Sequence, residues 1–167
     1  MGGADGIPQA YRIVRKTQRR IGDNALCIRK WPAMEGRIYA VAFSPDGTRF
    51  AAVSSLDGKG EINFYNYDFN TEMPQDILAI EGKDDGARKD DEKAKVAAYY
   101  TSDAKLLGSV PLDAGLYALS YKPDGTLVAC AGEDGKVRFI SATDTKVTKE
   151  FVPVPIAGTQ TAQAETK

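Results

Sequence analysis

Two stretches decide how this chain folds: Ile38-Tyr39-Ala40-Val41-Ala42-Phe43-Ser44-Pro45-Asp46-Gly47-Thr48 and Leu116-Tyr117-Ala118-Leu119-Ser120-Tyr121-Lys122-Pro123-Asp124-Gly125-Thr126. They align without a gap, so the chain contains an internal repeat. Within each copy, Tyr39, Val41 and Phe43, or Tyr117, Leu119 and Tyr121, alternate with small residues at the period of a strand. Pro-Asp-Gly then reverses the chain, since proline pre-sets the φ of a turn and glycine accepts the positive φ that ends it.

The likeness continues beyond the turn. Phe50-Ala51-Ala52-Val53 matches Val128-Ala129-Cys130-Ala131 as a second strand. Asp57-Gly58 and Asp134-Gly135 turn the chain again, and Ile62 to Tyr65 matches Val137 to Ile140 as a third. Fourth strands are readable at 105–110 and 146–151, so each copy is predicted to be a four-stranded antiparallel meander. A partial copy stands at the start, where Ala4-Asp5-Gly6 corresponds to Glu133-Asp134-Gly135. Gln9 to Val14 and Leu26 to Trp31 follow it as the last two strands.

A meander with Ser-Pro-Asp-Gly after its first strand and Asp-Gly before its third resembles one blade of a WD40-repeat β-propeller. The Trp-Asp dipeptide of that family is replaced by Tyr67-Asp68 and Ala142-Thr143, and its Gly-His by Gly36-Arg37 and Ala114-Gly115. The resemblance implies an all-β fold: a WD40-like β-propeller fragment over 1–158, with a half blade at 1–36, a blade at 37–111 and a blade at 115–156. Two and a half blades do not close a ring, so the chain is expected to be a fragment or truncated relative of a longer propeller, with apolar faces at its open ends that invite self-association. The wording of Gly2 to Pro8, Arg49 to Gly60 and Lys149 to Pro155 is also similar to the WD40 segment of large bacterial proteins of the planctomycete cytochrome type, which implies an exported, periplasmic parent.

The interval between the two Pro-Asp-Gly turns is almost twice a repeat of about 40–45 residues. The surplus is read as an insertion at 69–104, partly helical from its Ala, Glu and Lys content, peripheral and dispensable to the sheet. After Gly158 the chain is polar and pattern-free, and 159–167 is expected to be a disordered tail.

Composition narrows the chemistry. The 167 residues carry Lys+Arg 22 against Asp+Glu 23, a net charge of −1, with 43% hydrophobic and 27% charged residues, as in an ordinary globular domain. There is no histidine, which removes Ser-His-Asp and Cys-His triads and imidazole metal ligands. The two cysteines, Cys27 and Cys130, sit among apolar strand residues and read as small hydrophobes. Glu81, Lys83, Asp85, Gly86 and Glu92 fall at the spacing of a calcium loop, but Lys83 puts a cation where a ligand belongs, so a solvated mixed-charge loop is expected. The carboxylates at 84–85 and 90–91 read the same way, and Gly58-Lys59-Gly60 reads as a hairpin turn. Arg15-Lys16-Thr17-Gln18-Arg19-Arg20 is a basic cluster without interleaved aromatics, a solvated loop or a contact surface. The repeat-registered aromatics Tyr39, Phe43, Phe64, Tyr65, Tyr117, Tyr121 and Phe139 are expected to pack between blades.

What remains is a non-catalytic protein-interaction or scaffold module with no cofactor and no metal. Its partner is a protein or another domain of a parent chain, without nucleic-acid or membrane binding. The alternative is an enzymatic or redox-linked propeller whose carboxylates or metal come from elsewhere in the parent. The resemblance places partner contacts on the loops before first strands and between second and third strands: Met34, Glu35, Arg37, Asp57, Lys59, Asp113, Asp134 and Lys136.

Overall fold

The computed structural model describes residues 1–14 and 26–154; the basic cluster at 15–20 and the tail at 159–167 lie outside them. The two copies form two four-stranded antiparallel sheets. One comprises β3 (Arg37–Phe43), β4 (Arg49–Leu56), β5 (Lys59–Asn66) and β6 (Leu106–Leu112), preceded by a two-stranded sheet of β1 (Gln9–Tyr11) and β2 (Cys27–Lys30). The other comprises β7 (Leu116–Tyr121), β8 (Leu127–Gly132), β9 (Val137–Ser141) and β10 (Val147–Phe151), in chain order from β7 to the β10 edge. The fold is all-β and WD40-like, with β3 and β4 packed directly on β7.

Each Pro-Asp-Gly turn is held by its aspartate. The backbone N–H and the hydroxyl of Thr48 donate to Asp46 at 3.0 and 2.9 Å, and the Ser44 hydroxyl donates to it as well. These bonds favour the ionised carboxylate and bring Asp46 down to about 2. Thr126 donates to Asp124 in the same pattern, with Lys122 Nζ at 2.6 Å in place of the serine. Gly47 and Gly125 close the turns at φ 72° and 74°.

The two Asp-Gly turns differ. Asp57 and Gly58 both take positive φ, 49° and 76°, and Leu56 pairs directly with Lys59, which makes a two-residue hairpin. In the Asp134-Gly135 turn only the glycine has positive φ and pairing stops at Ala131 and Val137, so a wider loop lets Glu133 reach back toward β7.

Two cores lie between the sheets. Ala51, Val53, Ile62 and Phe64 face Leu116, Val128, Cys130 and Ile140. On the other side of the central sheet, Phe50, Ala52 and Tyr65 pack with Trp31, Met34 and Ile38. Trp31 meets Phe50 edge to face at 4.7 Å and donates from Nε1 to the Asn66 carbonyl at 3.0 Å, which satisfies the indole while burying its ring. Cys27 and Cys130 are buried thiols with no disulfide between them.

The first strands carry a feature that strict alternation hides. Register shifts between Ile38 and Ala40, and again between Leu116 and Ala118, so Tyr39 and Tyr117 are bulged out of the ladder. The extra residue puts Leu116 on the same face as Leu119 and Tyr121, which pack against the core, while Ala40 turns to the face toward the last sheet. The expected packing of all seven aromatics is thereby corrected. Phe64 and Tyr65 are buried and Tyr121 packs against the core, but Tyr39 and Tyr117 stand 50% and 42% exposed and Phe139 lies half-buried on the far face of the last sheet. Phe43 is 50% exposed beside the first sheet, which has two strands among the described residues.

Residues 69–104 contain α1 (Gln75–Glu81), a 3-10 turn (Asp85–Ala87) and α2 (Asp90–Thr101). The helices dock on β2. Ile77, Ile80, Val96 and Tyr100 bury Cys27, and the buried Arg29 donates to the Ser102 hydroxyl at 2.7 Å and to the Tyr99 carbonyl. The expected peripheral excursion therefore also covers the neighbouring sheet. Three acids of the calcium-like spacing are in ion pairs: Glu81 with Arg88 at 3.1 Å, Asp85 with Arg88 at 3.8 Å, and Glu92 with Lys83. No helix among the described residues is long and apolar enough to cross a membrane.

Candidate partner-binding rim

The starting ends of β3 and β7 and the loops beside them form one rim. The loop from β2 into β3 is tied down by the Met34 amide, which donates to the Gly6 carbonyl at 2.8 Å, and by the Glu35 amide, which donates to Glu61 Oε1 at 2.9 Å. Met34 is only 5% exposed, so its side chain belongs to the core beneath the rim and is not presented to a partner. Glu35, Lys59 and Asp113 do come together: with Leu56, Glu61 and Pro111 they line a groove of about 320 Å³.

Toward the inner strands the rim becomes aromatic. The Arg37 guanidinium lies 5.9 Å from the centroid of the Tyr39 ring, which meets Tyr117 edge to face at 4.9 Å across the two sheets. Glu133 fixes the second ring: its carboxylate accepts from the Gly115 amide and from the Tyr117 hydroxyl, both at 3.1 Å. That carboxylate beside the phenol pushes the Tyr117 pKa up from its ordinary value. At the position of Glu133, the central sheet has Leu56, which is exposed beside Asp57 in the hairpin turn.

Asp134 and Lys136 are committed elsewhere. Asp134 pairs with the buried Arg138 and accepts from the Lys136 amide at 3.1 Å, while Lys136 Nζ lies 2.6 Å from Glu150. Arg138 Nε is itself 2.7 Å from Glu150, so these four residues form an internal network of the last sheet. The guanidinium holds Asp134 below the usual carboxylate range, and Lys136 with Arg138 does the same for Glu150.

The rim is thus built from Glu35, Arg37, Asp57, Lys59 and Asp113 together with Tyr39, Leu56, Tyr117 and Glu133, which sequence reading missed. The bulge that exposes the tyrosines has no signature in alternation. An aliphatic Leu56 beside Asp-Gly, where the other copy has Glu133, was a visible signal. Chemically the surface offers two half-exposed phenols, one guanidinium and charges of both signs. Among the described residues, no three His, Cys, Asp or Glu side chains gather closely enough to hold a metal ion.

Two segments of the chain, residues 25–59 and 105–141, match the family model described as WD domain, G-beta repeat. Each runs from the end of one sheet into the next, across the rim. No curated protein matches the chain, and the likeness to cytochrome-type proteins rests on the three quoted stretches alone.

Proposed function

We propose that this chain is a non-catalytic interaction module that binds a protein, or another domain of a parent chain, through the rim around Tyr39 and Tyr117. Repeats of the matched family generally mediate protein–protein interaction or scaffolding. The observation that carries the reading here is the Arg37–Tyr39–Tyr117 row: large aromatic surface left half-exposed, next to an arginine, on strands whose backbone is fixed by two packed sheets. Tyrosine and arginine dominate binding hot spots because they bury much area at low entropic cost. Flanking charges of both signs, Glu35 and Asp113 against Lys59 and Arg37, suit a mixed polar protein surface better than a polyanion.

The test is to identify a partner by cross-linking from positions 35 and 59, then to measure its affinity for the wild type and for Tyr39→Ala, Tyr117→Ala and Arg37→Glu. Loss of roughly tenfold or more in Kd for at least two of these, with circular dichroism unchanged, supports the rim. Unaltered affinity in all three moves the contact to another face.

A further inference from the structure

Among the described residues the first sheet has two strands, and a groove of about 390 Å³ lies between β1 and the inner strand of the central sheet. Val41 and Phe43 form its floor, 36% and 50% exposed, with Tyr67 and Trp31 at the back and Ala10 and Tyr11 on the wall.

The internal repeat says what belongs there. Val41 and Phe43 align with Leu119 and Tyr121, which are packed against the core formed with Ala51, Val53, Ile62 and Phe64 of the preceding sheet. β3 and β4 pack on β7, and Ala40 lies against the same core as Leu119 and Tyr121. The same surface on the central sheet lacks that cover among the described residues. Its pairing mode is already begun: the Gln9 amide donates to the Met1 carbonyl at 2.8 Å, and the Ile38 amide donates to the Gly3 carbonyl at 3.0 Å, so residues 1–3 bridge β1 and β3 at one end of the groove. The stretch 15–25 between β1 and β2 is rich in Arg and Lys and lacks the alternating apolar pattern such a cover needs.

We propose that this groove is a second docking site, distinct from the rim, which takes an apolar β-hairpin from a partner protein. The hairpin pairs with β1 beyond Gln9 and lays small alternating side chains on Val41 and Phe43, completing the first sheet to four strands. Main-chain pairing supplies the attachment and the apolar floor sets the register. It fits a partner whose strands carry alanine or valine at alternate positions, as β3 and β4 do.

The probe is a fluorescein-labelled peptide with the sequence of residues 37–56, titrated with the full chain and followed by anisotropy. Saturable binding is expected, weakened roughly tenfold or more by Phe43→Glu and several-fold by the milder Val41→Thr, and unchanged by Arg37→Glu. Slowed hydrogen exchange at the Tyr11 amide on binding places the peptide on β1. No binding at about 1 mM chain overturns the proposal. Binding that Arg37→Glu abolishes and both groove variants leave intact also overturns it, and assigns the peptide to the rim. Dimers that dissolve on dilution and are lost in Phe43→Glu would make the occupant a second copy, which overturns the partner assignment. Failure of the rim variants to affect the rim's partner leaves all of these outcomes readable.

Discussion

The Arg29 guanidinium lies 4.8 Å from the centroid of the Tyr99 ring, a contact that ties a strand of the first sheet to a helix inserted in the second. The same guanidinium lies 4.6 Å from Phe69 and donates to the Tyr99 carbonyl and the Ser102 hydroxyl. Truncation removes a buried cation with its two ring contacts and its hydrogen bonds, so Arg29→Ala is expected to cost about 2–4 kcal/mol in urea unfolding. A loss within ~0.5 kcal/mol, the range of a surface substitution, would show the pair to be ornamental.

Replacing residues 69–104 with the short link Ser141 to Thr145 tests the helices as a whole. Ile77, Ile80, Val96 and Tyr100 leave the surface of Cys27 together. The shortened chain should keep its strand signal in circular dichroism but melt several degrees lower, roughly as a loss of a few kcal/mol demands. An unchanged melting temperature contradicts the docking role.

Burial pushes the Cys130 thiol up to about 11 from an ordinary 9.0. A raised folded pKa stabilises the neutral form, so this contribution is complete below pH 9 and fades as pH climbs from there toward 11. At pH 8 the native protein should react with a disulfide reagent only at its opening rate, and both cysteines should titrate at once in urea. Rapid native labelling at Cys130 would contradict the burial.

Two glycines separate strain from space. A Cβ on Gly132 would lie 1.8 Å from the Gly115 carbonyl oxygen, whereas one on Gly47 meets nothing within 4 Å and suffers only its φ of 72°. Gly132→Ala should therefore cost more than about 3 kcal/mol or fail to fold, and Gly47→Ala about 1 kcal/mol. Equal losses in the two would overturn the distinction.

The Asp134–Arg138–Glu150 network should be acid-sensitive. Both carboxylates have folded pKa values below their ordinary ones, so their contribution is present above about pH 4.5 and is lost as pH falls below that. Asp134→Asn should lower stability at pH 7, by more than the ~0.5 kcal/mol of a surface pair, and the gap to wild type should narrow at pH 3. A gap independent of pH would assign the effect to packing.

Much of the architecture was legible in the sequence because its cues are local. Pro45-Asp46-Gly47 and Pro123-Asp124-Gly125 fix their own turns through side chains two residues away, and the repeat register places Phe64 and Tyr65 inside. The bulges at Tyr39 and Tyr117 were hidden because alternation assumes an unbroken ladder. Arg29 was hidden for another reason: a lone arginine in an apolar strand acquires its partners from residues 69–102, far along the chain. Met34 was placed in a loop correctly and on the surface wrongly, since the amide that anchors the loop also turns its side chain under it.

The paired bulges have a consequence for how such a protein changes over generations. A residue squeezed out of the ladder no longer shares the volume constraints of its neighbours, so positions 39 and 117 can exchange one large side chain for another while Ile38, Ala40, Leu116 and Ala118 keep their places. If the rim binds as proposed, recognition and folding are mutated at different addresses. A library randomised at these two positions should remain mostly folded while its binding preferences scatter, whereas one randomised at Ile38 and Leu116 should lose the fold first.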